Sequence, residues 1–170
     1  MKIFRVPDAE TQASLRRQFP EFQAVLEHRP HSMGRFAISV FDHWLRDEAE
    51  WHLLDCFDGP ERTVRDRKLL AHWEALFDAT EIYTIRYRGR WPHKARLVIK
   101  KYLDKNGFLE RCRFDPQRAP TQFVLLPEYD CIYVDSWDDT NVVFFNSRER
   151  AEPLISLANN CGLHCLEFDA

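Results

Sequence analysis

Residues 129–170 constrain the fold more than any other part of the chain. They read as strand, acidic turn, strand, helix and short closing strand. Cys131-Ile132-Tyr133-Val134 and Val142-Val143-Phe144-Phe145 are rich in β-branched and aromatic residues, the side chains that suit a pleated, half-buried surface. Asp138-Asp139-Thr140-Asn141 stands between them, and such short polar side chains bond their own backbone and favour a turn. Gly162 then marks the end of the helix.

The chain before this unit alternates between helix and strand patterns. Leu15, Phe19, Phe22, Val25 and Leu26 recur at three- and four-residue spacings, and Pro20 splits them into two short helices. Residues 28–32 read as a loop and 35–41 as a strand with Phe36, Ile38 and Val40 inward. Residues 42–60 read as a short helix or irregular cover. From Pro60 a helix presents Val64, Leu69, Leu70, Trp73, Leu76 and Phe77, with Arg62, Arg65, Arg67 and Lys68 mostly elsewhere. Residues 81–88 alternate as a half-buried strand. Pro92 opens a predicted helix with Ala95, Val98, Ile99, Tyr102 and Leu103 on its core face and Asn106-Gly107 as its C-cap. Residues 108–114 alternate as a strand, 115–120 form a loop, and 121–126 form another strand stopped by Pro127. Closely spaced strands joined by short turns favour antiparallel pairing. The expected fold is one α+β domain over residues 1–170, mainly antiparallel sheet with about four helices packed on it.

At 170 residues with 45% hydrophobic side chains, the chain can offset its ordering entropy by burial, so disorder is excluded. No apolar run approaches the roughly 20 residues that span a membrane. Residues 1–7 turn polar too soon for a secretory signal, and five Cys without framework spacing suit reduced thiols. A cytoplasmic location is expected. The net charge of −3 hides an uneven distribution. Residues 1–60 carry 7 basic and 10 acidic side chains, 61–118 carry 15 and 8, and 119–170 carry 2 and 9.

Glu128, Asp130, Asp135, Asp138 and Asp139 are the densest acidic set. A calcium loop would require a glycine and a later bidentate Glu that this spacing lacks. Two readings stay: a solvated hairpin turn, or an acidic recognition surface for a basic partner. Cys161, His164 and Cys165 are close in sequence, but structural zinc sites bring two separated pairs of ligands, so no metal and no cofactor is expected. No Gly-rich phosphate loop or nucleophile-elbow motif occurs. The basic stretch 86–118 interleaves aromatics, as a nucleic-acid binder would, and the acidic set with a His could serve an unrecognised small hydrolase.

Residues 129–170 also resemble the end of an uncharacterised bacterial family, a domain of unknown function. The resemblance rests on Trp137-Asp138-Asp139-Thr140-Asn141 at the turn, Pro153-Leu154-Ile155 in the helix and Glu167-Phe168-Asp169 at the close, with a fainter echo at Leu76-Phe77-Asp78 and the strand 81–87. Thr140 and Asn141 stand where that family's pattern has Arg and Gly, so any role of that Arg is lost. Small proteins that look like this belong to bacterial toxin–immunity loci. The resemblance implies a non-enzymatic immunity protein that neutralises a cognate toxin by direct binding. The partner contacts expected are Glu128, Asp130, Asp135, Trp137, Asp138 and Asp139, with Trp137 as the energetic anchor and a basic toxin active site opposite the carboxylates.

Overall fold

The computed structural model describes residues 2–27, 30, 32–88, 96–115 and 122–169. Its strands are β1 (Phe4–Arg5), β2 (Gly34–Ser39), β3 (Tyr83–Arg88), β4 (Arg96–Tyr102), β5 (Phe123–Leu126), β6 (Cys131–Val134), β7 (Thr140–Phe145) and β8 (His164–Glu167). They form one sheet in the order β1-β4-β3-β5-β6-β7-β2-β8, antiparallel at each junction. Five α-helices accompany it among the described residues: α1 (Ala9–Gln18), α2 (Phe22–Leu26), α3 (Gly59–Ala79), α4 (Lys105–Cys112) and α5 (Arg148–Asn160). Two 3-10 turns, Glu48–Leu54 and Pro127–Tyr129, complete the list. The fold is α+β as the sequence predicts, with more helical segments than the four expected.

Both faces of the sheet are covered. On one, Trp73 and Leu76 of α3, Phe108 of α4 and Leu154 of α5 pack against Ile38, Val124, Tyr133 and Val143. On the other, Leu15, Phe19 and Val25 cover Ile99, Leu125, Ile132 and Phe144. This explains why β6 is buried at all four positions, as a central strand between two layers must be. The β6–β7 pairing, Cys131↔Phe145 to Val134↔Val142, follows the hairpin that the sequence predicts. Helix α5 then returns the chain so that β8 joins the far side of β2. Gly162, at φ 75, closes α5 in the left-handed region, and Leu163 N–H reaches back to the Ala158 carbonyl at 3.0 Å.

The structure differs from the sequence reading between Pro92 and Phe114. Residues 92–95 lie outside the described set, as do most of the predicted loops 28–32 and 115–120. Residues 96–102, expected to be helical, form β4, paired with β3 from Tyr83↔Lys101 to Arg88↔Arg96. Residues 105–112, expected to be mostly strand, form α4. Val98, Ile99 and Tyr102 satisfy a helical spacing, but an open edge on β3 offers Val98 one buried face and Ile99 the other. Asn106-Gly107 is the first turn of α4 rather than a C-cap: Asp104 is the N-cap and accepts the Gly107 N–H at 2.9 Å.

Candidate functional site

Between α3, α4 and the ends of β3, β5 and β6 lies a cleft of about 960 Å³, large enough for a sizeable ligand or an inserted side chain cluster. Trp73, Leu69 and Leu70 of α3 form its apolar wall, and Phe57, Phe114 and Trp137 stand toward its rim. Phe57 and Phe114 stack with centroids 6.3 Å apart. Phe57 and Trp137 are 48% and 52% exposed, so the rim presents aromatic surface to solvent.

The turn that carries Trp137 is held from below. Asp139 is only 4% exposed, with a left-handed φ of 60°. Its carboxylate accepts two hydrogen bonds from Arg62, at 2.8 and 2.9 Å, and one from Arg65 at 3.1 Å. The two arginines, on successive turns of α3, are themselves buried. Arg62 also bonds Asp66 and Arg65 bonds Glu61, and their guanidinium planes lie over Phe114 and Phe41 at 4.2 and 4.9 Å. Burial by itself would lower both guanidinium pKa values, but the carboxylate bonds outweigh it and raise them. Asp138 accepts the Thr140 N–H at 3.2 Å. Asn141 accepts the Ser136 N–H at 2.8 Å and donates to the Tyr133 hydroxyl at 3.1 Å.

These contacts correct the expectation of an exposed acidic patch. Asp139 belongs to the interior. So does Asp130, 8% exposed, whose carboxylate accepts from Gln18 and Asn146 at 3.0 Å each. Glu128 is exposed, but it and Asp130 precede β6 while Asp135 follows it, about 16 Å away along an extended strand. The residues brought together at the cleft are Asp135, Trp137 and Asp139. Arg62 and Arg65 were expected outside the apolar face of α3 and are inside it, while Val64, expected within that face, is 44% exposed.

The floor has polar chemistry that the sequence reading missed. Gln122 belongs to it: its backbone N–H donates to Asp135 at 2.5 Å, its side-chain Oε1 accepts the Tyr102 hydroxyl at 2.8 Å, and its side-chain Nε2 lies 3.5 Å from the Cys112 sulfur. Burial pushes the Asp135 carboxyl up to about 6, against a smaller downward pull from the Gln122 N–H. Burial likewise holds the Cys112 thiol well above its usual range and lifts the Tyr102 phenol to about 12. No histidine is among the described lining residues, so the described residues do not assemble there the acidic set with a His that the hydrolase reading names.

Comparison with family models, with curated proteins and with solved structures gives no match. The site is therefore read from its own geometry. Among the described residues, no three His, Cys, Asp or Glu side chains converge as metal ligands; His164 is exposed while Cys165 turns toward the α5 side of the sheet. No described helix is long and apolar enough to cross a membrane. The described basic residues of the stretch 86–118 do not form one stripe. Lys101, Lys105 and Arg113 are each paired with a carboxylate, whereas Arg86, Lys100 and Arg111 gather around the Phe4 ring.

Proposed function

We propose that this chain is a non-enzymatic binding protein of the immunity kind, which neutralises a cognate toxin by seating it on the rim of the cleft with Trp137 as anchor. The observation that carries this reading is how Trp137 is held. A large aromatic side chain, half exposed, projects from a turn whose neighbour Asp139 is clamped by two buried arginines. Aromatic anchors dominate binding energy at interfaces, and a rigid mounting cuts the ordering cost of association. Phe57 extends the same apolar rim. Asp138 supplies the acidic character expected of a surface that meets a basic partner, with Asp135 in the cleft floor behind it. Glu128 and Asp130 fall outside this contact set, and Asp139 acts as the support rather than the contact.

The test is calorimetric titration of the purified protein with the product of the adjacent gene. Trp137→Ala is expected to cost at least about 2 kcal/mol of binding, roughly 30-fold, with an unchanged thermal midpoint. Undiminished affinity in that variant, or no binding of the neighbouring product, sinks the reading.

A further inference from the structure

The described carboxylates that line the cleft each have a partner: Asp135 accepts the Gln122 N–H, and Asp115 is engaged as well. Asp139 is satisfied by Arg62 and Arg65, Asp66 by Arg62, and Glu110 by Arg113. By contrast, Arg86 of β3 and Arg111 of α4 have no ion pair among the described residues, although both line the cleft. Their guanidinium carbons stand 5.9 and 5.2 Å from the centroid of the Phe4 ring. The Nε of Arg111 is buried and makes no hydrogen bond, which is costly for a charged donor unless a ligand satisfies it. Lys100, 5.5 Å from the same ring, adds a third cation nearby. Beyond these groups the cleft continues over the apolar side chains of Leu69, Leu70 and Trp73.

We propose that the cleft binds a small organic anion, with an oxyanion head held by Arg86 and Arg111 and a flat apolar body lying against Leu69 and Leu70. A guanidinium presents a planar fork of donors that fits phosphate, sulfonate or carboxylate oxygens in pairs. Two such forks, neither of them in an ion pair among the described residues, form a receptor for a head of that kind. The cleft volume of about 960 Å³ is at the upper end of the range for drug-sized ligands, so it has room for an aromatic or polycyclic body. The Tyr102 hydroxyl is engaged with Gln122, which leaves selection of the head to the arginines. This site goes beyond recognition of a protein at the Trp137 rim, and neither requires the other.

Two fluorescent probes of nearly the same body separate the head from the body: 8-anilinonaphthalene-1-sulfonate, which carries an anionic head, and N-phenyl-1-naphthylamine, which does not. Wild-type protein is expected to bind the sulfonate saturably at one site, at least about tenfold more tightly than the neutral probe. Arg86→Gln/Arg111→Gln is expected to lose that tenfold preference and to keep its affinity for the neutral probe. Equal affinity of wild type and variant for the sulfonate, or equal affinity of wild type for both probes, overturns the proposal. Circular dichroism and the thermal midpoint are measured alongside. Should the double variant fail to fold, the exposed Arg86→Gln alone carries the test, with a smaller loss of the same preference expected. Displacement of the probe by an aromatic carboxylate, and separately by a nucleoside monophosphate, then distinguishes the source of the oxyanion head.

Discussion

Asp139 ties the turn before β7 to helix α3. Its carboxylate is the common acceptor for Arg62 and Arg65, and all three residues are buried. Removing one member of a buried ion pair leaves an uncompensated charge and costs about 3–5 kcal/mol. Asp139→Ala is expected near the lower end, because Arg62 and Arg65 keep Asp66 and Glu61. Asp139→Asn is expected to cost less, since Asn tolerates the left-handed backbone at φ 60° and retains an acceptor oxygen. Urea unfolding midpoints order the two variants; equal stability of all three proteins would refute the clamp. The location was legible on closer counting. Arg62 is about three full turns before Trp73 on α3, whereas Val64 lies on the opposite side of the helix from it. The apolar label on Val64 concealed what the 3.6-residue period states. The burial of Arg62 depends on its carboxylate partner 77 positions later in the chain, which no local pattern contains.

The elements after residue 120 were legible because several signals agree there. Strand composition, turn chemistry and the glycine that stops α5 all point one way, and the observed β6, β7, α5 and β8 follow them. Between β3 and β5 the signals conflict. Val98-Ile99 and Tyr102 fit either period, and the pairing of β4 with β3 and β1 decides the matter through contacts distant in sequence. Gly107 shows why the boundary moved. A Cβ there would meet Asp104 Oδ2 at 2.7 Å and Ile3 Cγ1 at 2.9 Å, so glycine lets the start of α4 sit close against its own cap and the N-terminal segment. Gly→Ala inside an exposed helix usually stabilises by about 1 kcal/mol. Gly107→Ala is expected to lower the thermal midpoint instead, and a raised midpoint would show that Ile3 and Asp104 yield freely. Asp104→Ala, which removes the cap bond, is expected to cost about 1 kcal/mol in denaturant titration. The cleft was less legible than the elements, since Arg86, Arg111, Gln122 and Asp135 come from four segments that only the sheet order brings together.

At the scale of the whole molecule, two buried titratable groups pull the pH dependence of stability in opposite directions. His72 is fully buried, neither ring nitrogen has a partner, and its ring lies against Trp73 and Tyr133 at 6.0 and 5.8 Å. Burial lowers its pKa to about 4, from 6.5. Between those values the unfolded chain takes a proton that the folded protein refuses, so stability falls as pH falls, by up to about 3 kcal/mol across the window. Asp135 does the reverse. Burial raises its carboxyl to about 6, from 3.8, and the groups around it, the Gln122 N–H, Cys112 and Tyr133, bring no cation close. Over that range the folded protein keeps a proton that the unfolded chain releases, so its contribution favours folding at low pH and is lost as pH rises through about 6. The effect is smaller than that of His72, because Asp135 keeps some contact with solvent. The two slopes therefore oppose each other between about pH 4 and 6. Wild-type protein is expected to show a shallow profile there. Asp135→Asn, which keeps an acceptor for the Gln122 N–H, is expected to be more stable than wild type at pH 8 and to lose that advantage toward pH 4.5, with a steeper acid slope. His72→Leu is expected to become relatively more stable than wild type as pH falls over the same range. Urea unfolding at half-unit steps from pH 4.5 to 8 measures both differences. Parallel profiles for wild type and Asp135→Asn would show that the cleft-floor carboxyl titrates in the folded protein as it does in the unfolded chain, and would remove the case for a desolvated floor beneath the arginines.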